Sequence, residues 1–292
     1  MNDYKVSVIT PFYNTENYLK RTFDSVLNQT FNFEDIEYIF IDDKSTDSSK
    51  SIIQGLCDKY DNVKLYDSPK DKKGPGVSRN TGLDKATADY VIFLDSDDRM
   101  DPKYIETMYN EIINSNVDLV KSAFYVDAGG VANPLNLGIG RVEVSHDDLS
   151  QALVYNYLEP WCTIYRKDYL LENNIRFLDK LCVIESFLFS IEAIAKAKNG
   201  LILLDDYFGQ YWTIRDDSLH NQPVKGNDLE YTLNCLTDVV LILYEQNQPQ
   251  HCIEKFLKFI LSTWCMNLFN CKEPKEIIDE FNFAKGFKPD QI

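Results

Sequence analysis

The sequence predicts an α/β protein built on a doubly wound, mainly parallel sheet flanked by helices. Three observations predict it. Apolar runs of strand length and capped helical stripes alternate roughly every 15 to 25 residues, the spacing of βαβ units. The run "VIFL" is apolar, β-branched and aromatic without alternation, as a buried strand is, and "VSVIT" and "IEYIFI" are further runs of strand type. Each then runs into polar sequence, in "PFYN", "DDKSTD" and "DSDD". Open α/β sheets bind ligands at the carboxyl ends of their strands, and core packing alone does not demand polar clusters there.

The elements follow in order. "KVSVITPFYN" gives a strand from about Lys5, stopped by Pro11. "TENYLKRTFDSVLNQ" is a helix with Thr15 as its cap and Tyr18, Leu19, Phe23, Val26 and Leu27 as its apolar stripe. "IEYIFIDD" is a second strand, "STDSSKSIIQGLCDKY" a capped helix and "NVKLYDS" a third strand. The loop "PKDKKGPG" leads into a helical "VSRNTGLDKA", then comes the strand "YVIFLDSDD" and a helix opening near Pro102, a residue suited to a first turn. From about Val117 the pattern is mixed. "DLVKSAFYV" and "RVEVS" read as strands around a Gly-rich turn region, and "EPWCTIYRKDYLLENN" as a short strand and a helix. "ESFLFSIEAIAKAK" is an amphipathic helix, and "GLILLDDYFGQYWTIR" one or two strands. Beyond about residue 226 the chain reads as helical, with "HCIEKFLKFILSTWCMNLF" carrying a broad apolar face expected to pack on the rest. The division expected is 1–220 for the α/β domain and 221–292 for a helical C-terminal extension.

Composition narrows the partners. With 44% hydrophobic and 26% charged residues over 292 positions, the chain is ordinary globular protein. A net charge of −16 argues against nucleic acid and against a polybasic attachment to anionic lipid. The seven cysteines are scattered, with no CxxC pair, so reduced thiols rather than a disulfide framework or zinc ribbon are expected. "MNDYKVSVIT" lacks the regions of a signal peptide, and no apolar run approaches membrane-spanning length. The expectation is a soluble, cytoplasmic protein that reaches the inner face of a membrane, if at all, through synthesis partners.

"VIFLDSDD" raises the chemical question. Asp95, Asp97 and Asp98 crowd the point where a buried strand surfaces, and such charges call for a cation or basic groups. Asp-x-Asp at a strand end suits Mg²⁺ or Mn²⁺ that keeps coordination sites for phosphate oxygens; the alternative is a solvated turn. At the neighbouring acidic strand end, Asp43 suits the imide N–H of a uracil and Tyr13 could stack on the base, unless they are a helix cap and a core aromatic. "GPGVSRN" offers backbone amides and Arg79 to an anion such as diphosphate. It is neither a P-loop nor the dinucleotide fingerprint, since both spacings are missing.

In order and spacing, "VSVITPFYN", "IDDKSTDSS", "GPGVSRNTGL" and "YVIFLDSDD" resemble the family-2 glycosyltransferases of the GT-A fold, bacterial enzymes that use nucleotide-sugars to build or decorate surface polysaccharides and capsules. The resemblance covers about residues 4 to 215, and the Gly loop followed by "RN" resembles the enzymes that glycosylate wall teichoic acid. It implies metal-dependent, inverting transfer of a hexose from a UDP-sugar to a hydroxyl of a surface glycan or polyol-phosphate polymer. Pro11, Tyr13 and Asp43 match positions that hold uridine, and Arg79 and Asn80 the loop over base and ribose. Asn14 and Ser96 complete the expected nucleotide-sugar contacts, with Arg215 on the phosphates. Asp95 matches a ribose and metal contact, Asp97 the principal ligand of Mn²⁺ or Mg²⁺, and His220 a further phosphate or metal contact.

The general base is where the chain departs from the pattern. The family's Glu-Asp pair at a helix start is "VIESFLFS" here, so Glu185 matches but Ser186 replaces the Asp. Three explanations stand: Glu185 acts as base, another acid such as Asp179 reaches the acceptor, or the site is impaired. Two rival functions follow. A nucleotidyltransferase would carry a Gly-rich basic loop straight after the first strand, which "PFYN" is not. A degenerate domain that binds nucleotide or glycan within a polymer-synthesis assembly is kept alive by Ser186. His146 and His251 have no supporting constellation, and Trp161 lies where the family places acceptor contacts, although burial is the commoner fate of such a residue.

Overall fold

Parallel strands cannot be joined by tight turns, so the helical stripes of the sequence serve as crossovers. The computed structural model describes residues 4–147, 149, 152–153, 159–179, 185–215 and 238–259. Its first half alternates as expected: β1 (Val6–Phe12), α1 (Leu19–Leu27), β2 (Ile36–Asp42), α2 (Ser49–Cys57), β3 (Val63–Asp67), α3 (Pro75–Lys85) and β4 (Tyr90–Phe93). The remainder adds β5 (Arg99–Met100), α4 (Tyr104–Ser115), β6 (Leu119–Ala128), β7 (Val131–Leu135), β8 (Arg141–Val144), β9 (Thr163–Arg166), α5 (Lys167–Glu172), α6 (Glu185–Ala195), β10 (Leu201–Thr213) and α7 (Gln250–Phe259).

Among the described residues these strands form one curled, mixed sheet in the order β3-β2-β1-β4-β9-β6-β10-β5, with β7 on β6 and β8 on β10. The pairs β1–β2, β2–β3, β1–β4 and β6–β10 are parallel. β9 runs antiparallel between β4 and β6, so its start lies at the end of the sheet where β4 finishes. Alternate residues of β1, β2 and β4 enter different cores. Ile9, Ile39, Ile41, Val91 and Phe93 pack with α3 and α6, whereas Val6, Val8, Tyr38, Phe40 and Ile92 pack with α1 and α4. That double burial explains the absence of alternation in their sequences.

Several local expectations change. β1 does not stop at Pro11 but runs through it, with Pro11 opposite Ile41. The Ile9 carbonyl accepts from the Leu94 amide, so the side of β1 that faces β4 includes Pro11, and by that point β4 has ended. The missing N–H therefore costs no ladder bond. Thr15 is not the cap of α1; its amide donates to Ser49 Oγ at 2.9 Å, and the helix begins at Leu19 after a turn. The Gly-rich region around 128–140 contains β7, a hairpin partner of β6. "GLILLDDYFGQYWTIR" is a single strand, β10, broken in register between Leu204 and Gln210.

In the described part of the C-terminal region, Val239, Leu243, Cys252, Ile253 and Phe256 join the core that holds α6. Gln248 fastens it further, accepting from the Leu149 amide and donating to the His146 carbonyl at 2.6 Å. Packing on the α/β domain, the expected role of that apolar face, is thus what its described residues do. Among the described residues no helix is long and apolar enough to cross a membrane.

The edge of the sheet depends on a close approach at Gly209, where a Cβ would fall 2.0 Å from Tyr104 Cδ2. The buried Tyr104 ring of α4 therefore packs directly against the Gly209 backbone of β10. Gly209→Ala is expected to lower stability by about 1–3 kcal/mol, read from urea unfolding midpoints; an unchanged midpoint would mean that α4 shifts freely on the sheet.

Candidate active site

Because β1, β2 and β4 are parallel, Tyr13, Asp43 and Asp95 emerge on one edge of the sheet. Tyr13 is 44% exposed, with the Lys73 ammonium 4.1 Å from its ring centroid. Asn14 adopts a left-handed backbone, and its side-chain oxygen accepts from the Thr46 amide at 2.8 Å, tying the loop after β1 to the loop after β2. Asp43 is buried and held at both oxygens, by Ser68 Oγ at 2.8 Å and by the Gly74 amide at 2.9 Å. A carboxylate has lone pairs beyond those two bonds, so a fixed Asp43 can still accept from a ligand N–H.

Gly74 opens α3, and the helix carries Arg79 into the middle of the site. There is room for this only because residue 76 is glycine: a Cβ there would sit 2.7 Å from the Leu178 carbonyl oxygen. The buried Arg79 guanidinium donates to Asp95 Oδ1 at 2.6 Å and to Ser186 Oγ at 3.2 Å. It also lies 3.6 Å from Glu185 Oε1 and over the Phe177 ring. Burial alone would lower its proton affinity, but Asp95, Glu185 and Glu159 more than reverse that, so the charge stays. Asn80 turns both ends of its amide to the Phe177 main chain, at 2.8 and 2.9 Å, and so holds α3 against the segment before α6.

The acid loop is clamped from below. Thr22 Oγ1 on α1 donates to the carbonyls of Ser96 at 2.9 Å and Asp98 at 2.8 Å, while Arg21 donates to the Asp97 carbonyl at 2.6 Å. Asp98 is buried and accepts from the Thr213 amide at 2.7 Å. Its carboxyl is pushed well above the usual range by burial and by Asp97 and Asp95. Asp97 pairs with Arg215 at 2.7 Å. Burial and the charge of Asp95 push Asp97 up to about 6, against the pull of Arg215. Asp95 and Asp97 thus remain partly open to the cleft and repel one another, a donor set that fits a divalent ion sharing its shell with phosphate oxygens. Among the described residues no three or more His, Cys, Asp or Glu side chains converge into a closed metal cage. His220 lies outside the described residues.

Toward the other side of the cleft, Glu185 opens α6 and is only 3% exposed beneath Arg79. Asp179 is exposed and paired with Lys72. Trp161 is buried edge-on against Phe124, a core aromatic rather than an open platform. Two residues here escaped the sequence reading. Lys121 on β6 is buried, its ammonium donating to the Glu159 carbonyl, to Thr163 Oγ1 at 3.1 Å and to Cys162 Sγ at 3.2 Å. A lone cation inside the apolar "DLVKSAF" was the available signal for it. Glu159 is half-buried just before β9, two residues ahead of Trp161 in the stretch that the resemblance links with acceptor contacts, which was the available signal for it.

Residues 7–172 match the family described as Glycosyl transferase family 2. The chain is 31% identical to the poly(ribitol-phosphate) beta-N-acetylglucosaminyltransferase TarP of Staphylococcus aureus, over 85% of this chain and 76% of TarP. It is 30% identical to a poly(ribitol-phosphate) beta-glucosyltransferase of Bacillus spizizenii over 74% of its own length, but spans only 33% of that protein. The crystal structure of S. aureus TarS 1-349 in complex with UDP-GlcNAc superposes with a TM-score of 0.79 at 25% identity, covering 96% of this chain and 79% of that one.

The buried acid of the loop has a measurable consequence. Unfolded, Asp98 titrates near 3.9; folded, it holds its proton to higher pH, so its contribution to stability is complete below about pH 4 and is lost as pH rises toward the folded value. Asp98→Asn keeps the acceptor for the Thr213 amide and removes the charge. It should melt roughly 2–4 °C above the parent at pH 8 and show a smaller difference at pH 5. A lower melting temperature at pH 8 would show that the loop needs the carboxylate charged.

Proposed function

The chain belongs to glycosyl transferase family 2, and from that premise we propose that it transfers a hexose from a UDP-sugar to a hydroxyl of a polyol-phosphate polymer of the bacterial surface, with inversion at the anomeric carbon. The observation that carries the reading is the convergence of Tyr13, Asp43, Arg79, Asp95, Asp97 and Arg215 on one edge of the sheet. The poly(ribitol-phosphate) specificity of two relatives supports the acceptor class, and the TarS complex supports a UDP-sugar donor.

In this reading the uracil stacks on Tyr13 and gives its imide N–H to Asp43, whose two existing donors hold it in place. Arg79 fixes Asp95 for the ribose and Asp97 faces the diphosphate, with Arg215 beside it as a second positive group. Asp97 and Asp95 would hold Mn²⁺ or Mg²⁺, which when bound would neutralise charge on the leaving diphosphate. Asn14 and Asn80 shape the loops that carry these groups through their side-chain amides, and Pro11 and Ser96 do so through the backbone. Transfer also requires a carboxylate that accepts the proton of the incoming hydroxyl. A second reading, a domain that binds donor without turning it over, is favoured by one observation: Ser186 stands where the resemblance places an acid, and its hydroxyl accepts from Arg79.

Calorimetric titration tests the nucleotide site. UDP is expected to bind at least tenfold more tightly with Mn²⁺ or Mg²⁺ than without. Asp97→Ala should abolish that difference, and Asp43→Ala should weaken binding about tenfold, ~1.4 kcal/mol. Absence of UDP binding under both conditions would overturn the reading.

A further inference from the structure

The acids of the cleft differ in how they are held. Asp95 and Glu185 are both drawn to Arg79, Asp97 is paired with Arg215, and Asp179 with Lys72. Glu185 is moreover buried beneath the guanidinium, so an acceptor hydroxyl cannot reach it without breaking that pairing. Glu159 is placed differently. β9 runs antiparallel to β4 with Ile164 opposite Ile92; Asp95 lies three residues beyond Ile92, and Glu159 five residues before Ile164. The start of β9 therefore brings Glu159 to the edge of the sheet that carries the acid loop.

Its backbone is fixed there. The Lys121 ammonium donates to the Glu159 carbonyl, and the next carbonyl, of Pro160, accepts from Tyr165 Oη at 3.4 Å. Lys121 spends its other bonds on Thr163 and Cys162, so among the described residues the Glu159 carboxylate is the one acid of this group without a salt bridge. As a residue it is half-buried, whereas Glu185 is almost fully buried. Burial and the charge of Asp95 raise its proton affinity, opposed by Lys121 and Arg79, a shift in the direction a base near neutral pH needs.

We propose that Glu159, rather than Glu185, is the general base of transfer. This deepens the reading of the site as a UDP-sugar transferase and depends on it. The Glu159 carboxylate takes the proton of the acceptor hydroxyl as that oxygen bonds to the anomeric carbon. The bond from that carbon to the diphosphate oxygen breaks, and its electron pair leaves with UDP. Glu185 is then a positioning residue, the buried counter-ion that keeps Arg79 aimed at Asp95.

The test compares Glu159→Gln and Glu185→Gln with the parent. UDP affinity is measured by calorimetry with Mn²⁺, and UDP release from UDP-glucose, UDP-galactose and their N-acetyl forms is followed with poly(ribitol phosphate) present. Glu159→Gln should bind UDP within about twofold of the parent and lose roughly 10²–10⁴-fold in kcat. Glu185→Gln should weaken UDP binding while keeping kcat at saturating donor within about tenfold of the parent. If Glu159→Gln keeps kcat within about threefold, Glu159 is not the base. If the parent binds UDP but releases none from any of the four donors, the proposal also fails while the nucleotide site stands. If the parent does not bind UDP, the fault lies with the functional reading itself.

Discussion

One buried guanidinium organises the cleft. Arg79 reaches Asp95 at the end of β4 and both Ser186 and Glu185 at the start of α6, so a single side chain joins the acid loop to the opposite wall of the cleft. A buried arginine persists only where its charge is met, and here Asp95, Glu185 and Glu159 meet it. The same helix needs Gly76 to approach Leu178 and uses Asn80 to grip Phe177. Loss of the guanidinium would leave Asp95 and the buried Glu185 uncompensated, in two elements at once. Stability and site geometry are therefore one problem in this protein, and the glycines of "GPGVSRN" belong to both.

A second constraint follows from crowding three aspartates into four positions. The loop solves it by giving each carboxylate a different fate. Asp95 takes Arg79, Asp97 takes Arg215, and Asp98 is buried where its proton is retained more strongly. The backbone between them is clamped by Thr22 and Arg21, so the repulsion cannot relax by unwinding the loop. What remains is a negative edge held in a fixed shape beside Arg215.

Much of this was legible in the sequence because the signals were local. Unbroken apolar runs announced strands buried on both faces, and the acids after them announced a ligand edge. The helical start of "GPGVSRN" singled out Arg79 as a cation for a diphosphate, but not as the buried partner of Asp95 and Glu185. Other features depend on contacts between distant residues and leave no local trace. Thr22 looks like any polar position on an amphipathic helix, yet it carries the acid loop. The antiparallel insertion of β9 decides that Glu159 comes to the edge of the sheet that carries Asp95, and a four-residue strand gives no hint of its direction. Pro11 was expected to end β1 because proline lacks an N–H; it does not, since its neighbouring strand has already stopped. Trp161 went to the core, the commoner fate for its type.

The most direct test of the account is a crystal structure of this protein with UDP and Mn²⁺. The account predicts the uracil on the Tyr13 ring with its imide N–H on Asp43, and the diphosphate between Asp97 and Arg215 with the ion on Asp97. UDP bound elsewhere, or seated there with its diphosphate turned away from Asp97, would contradict it.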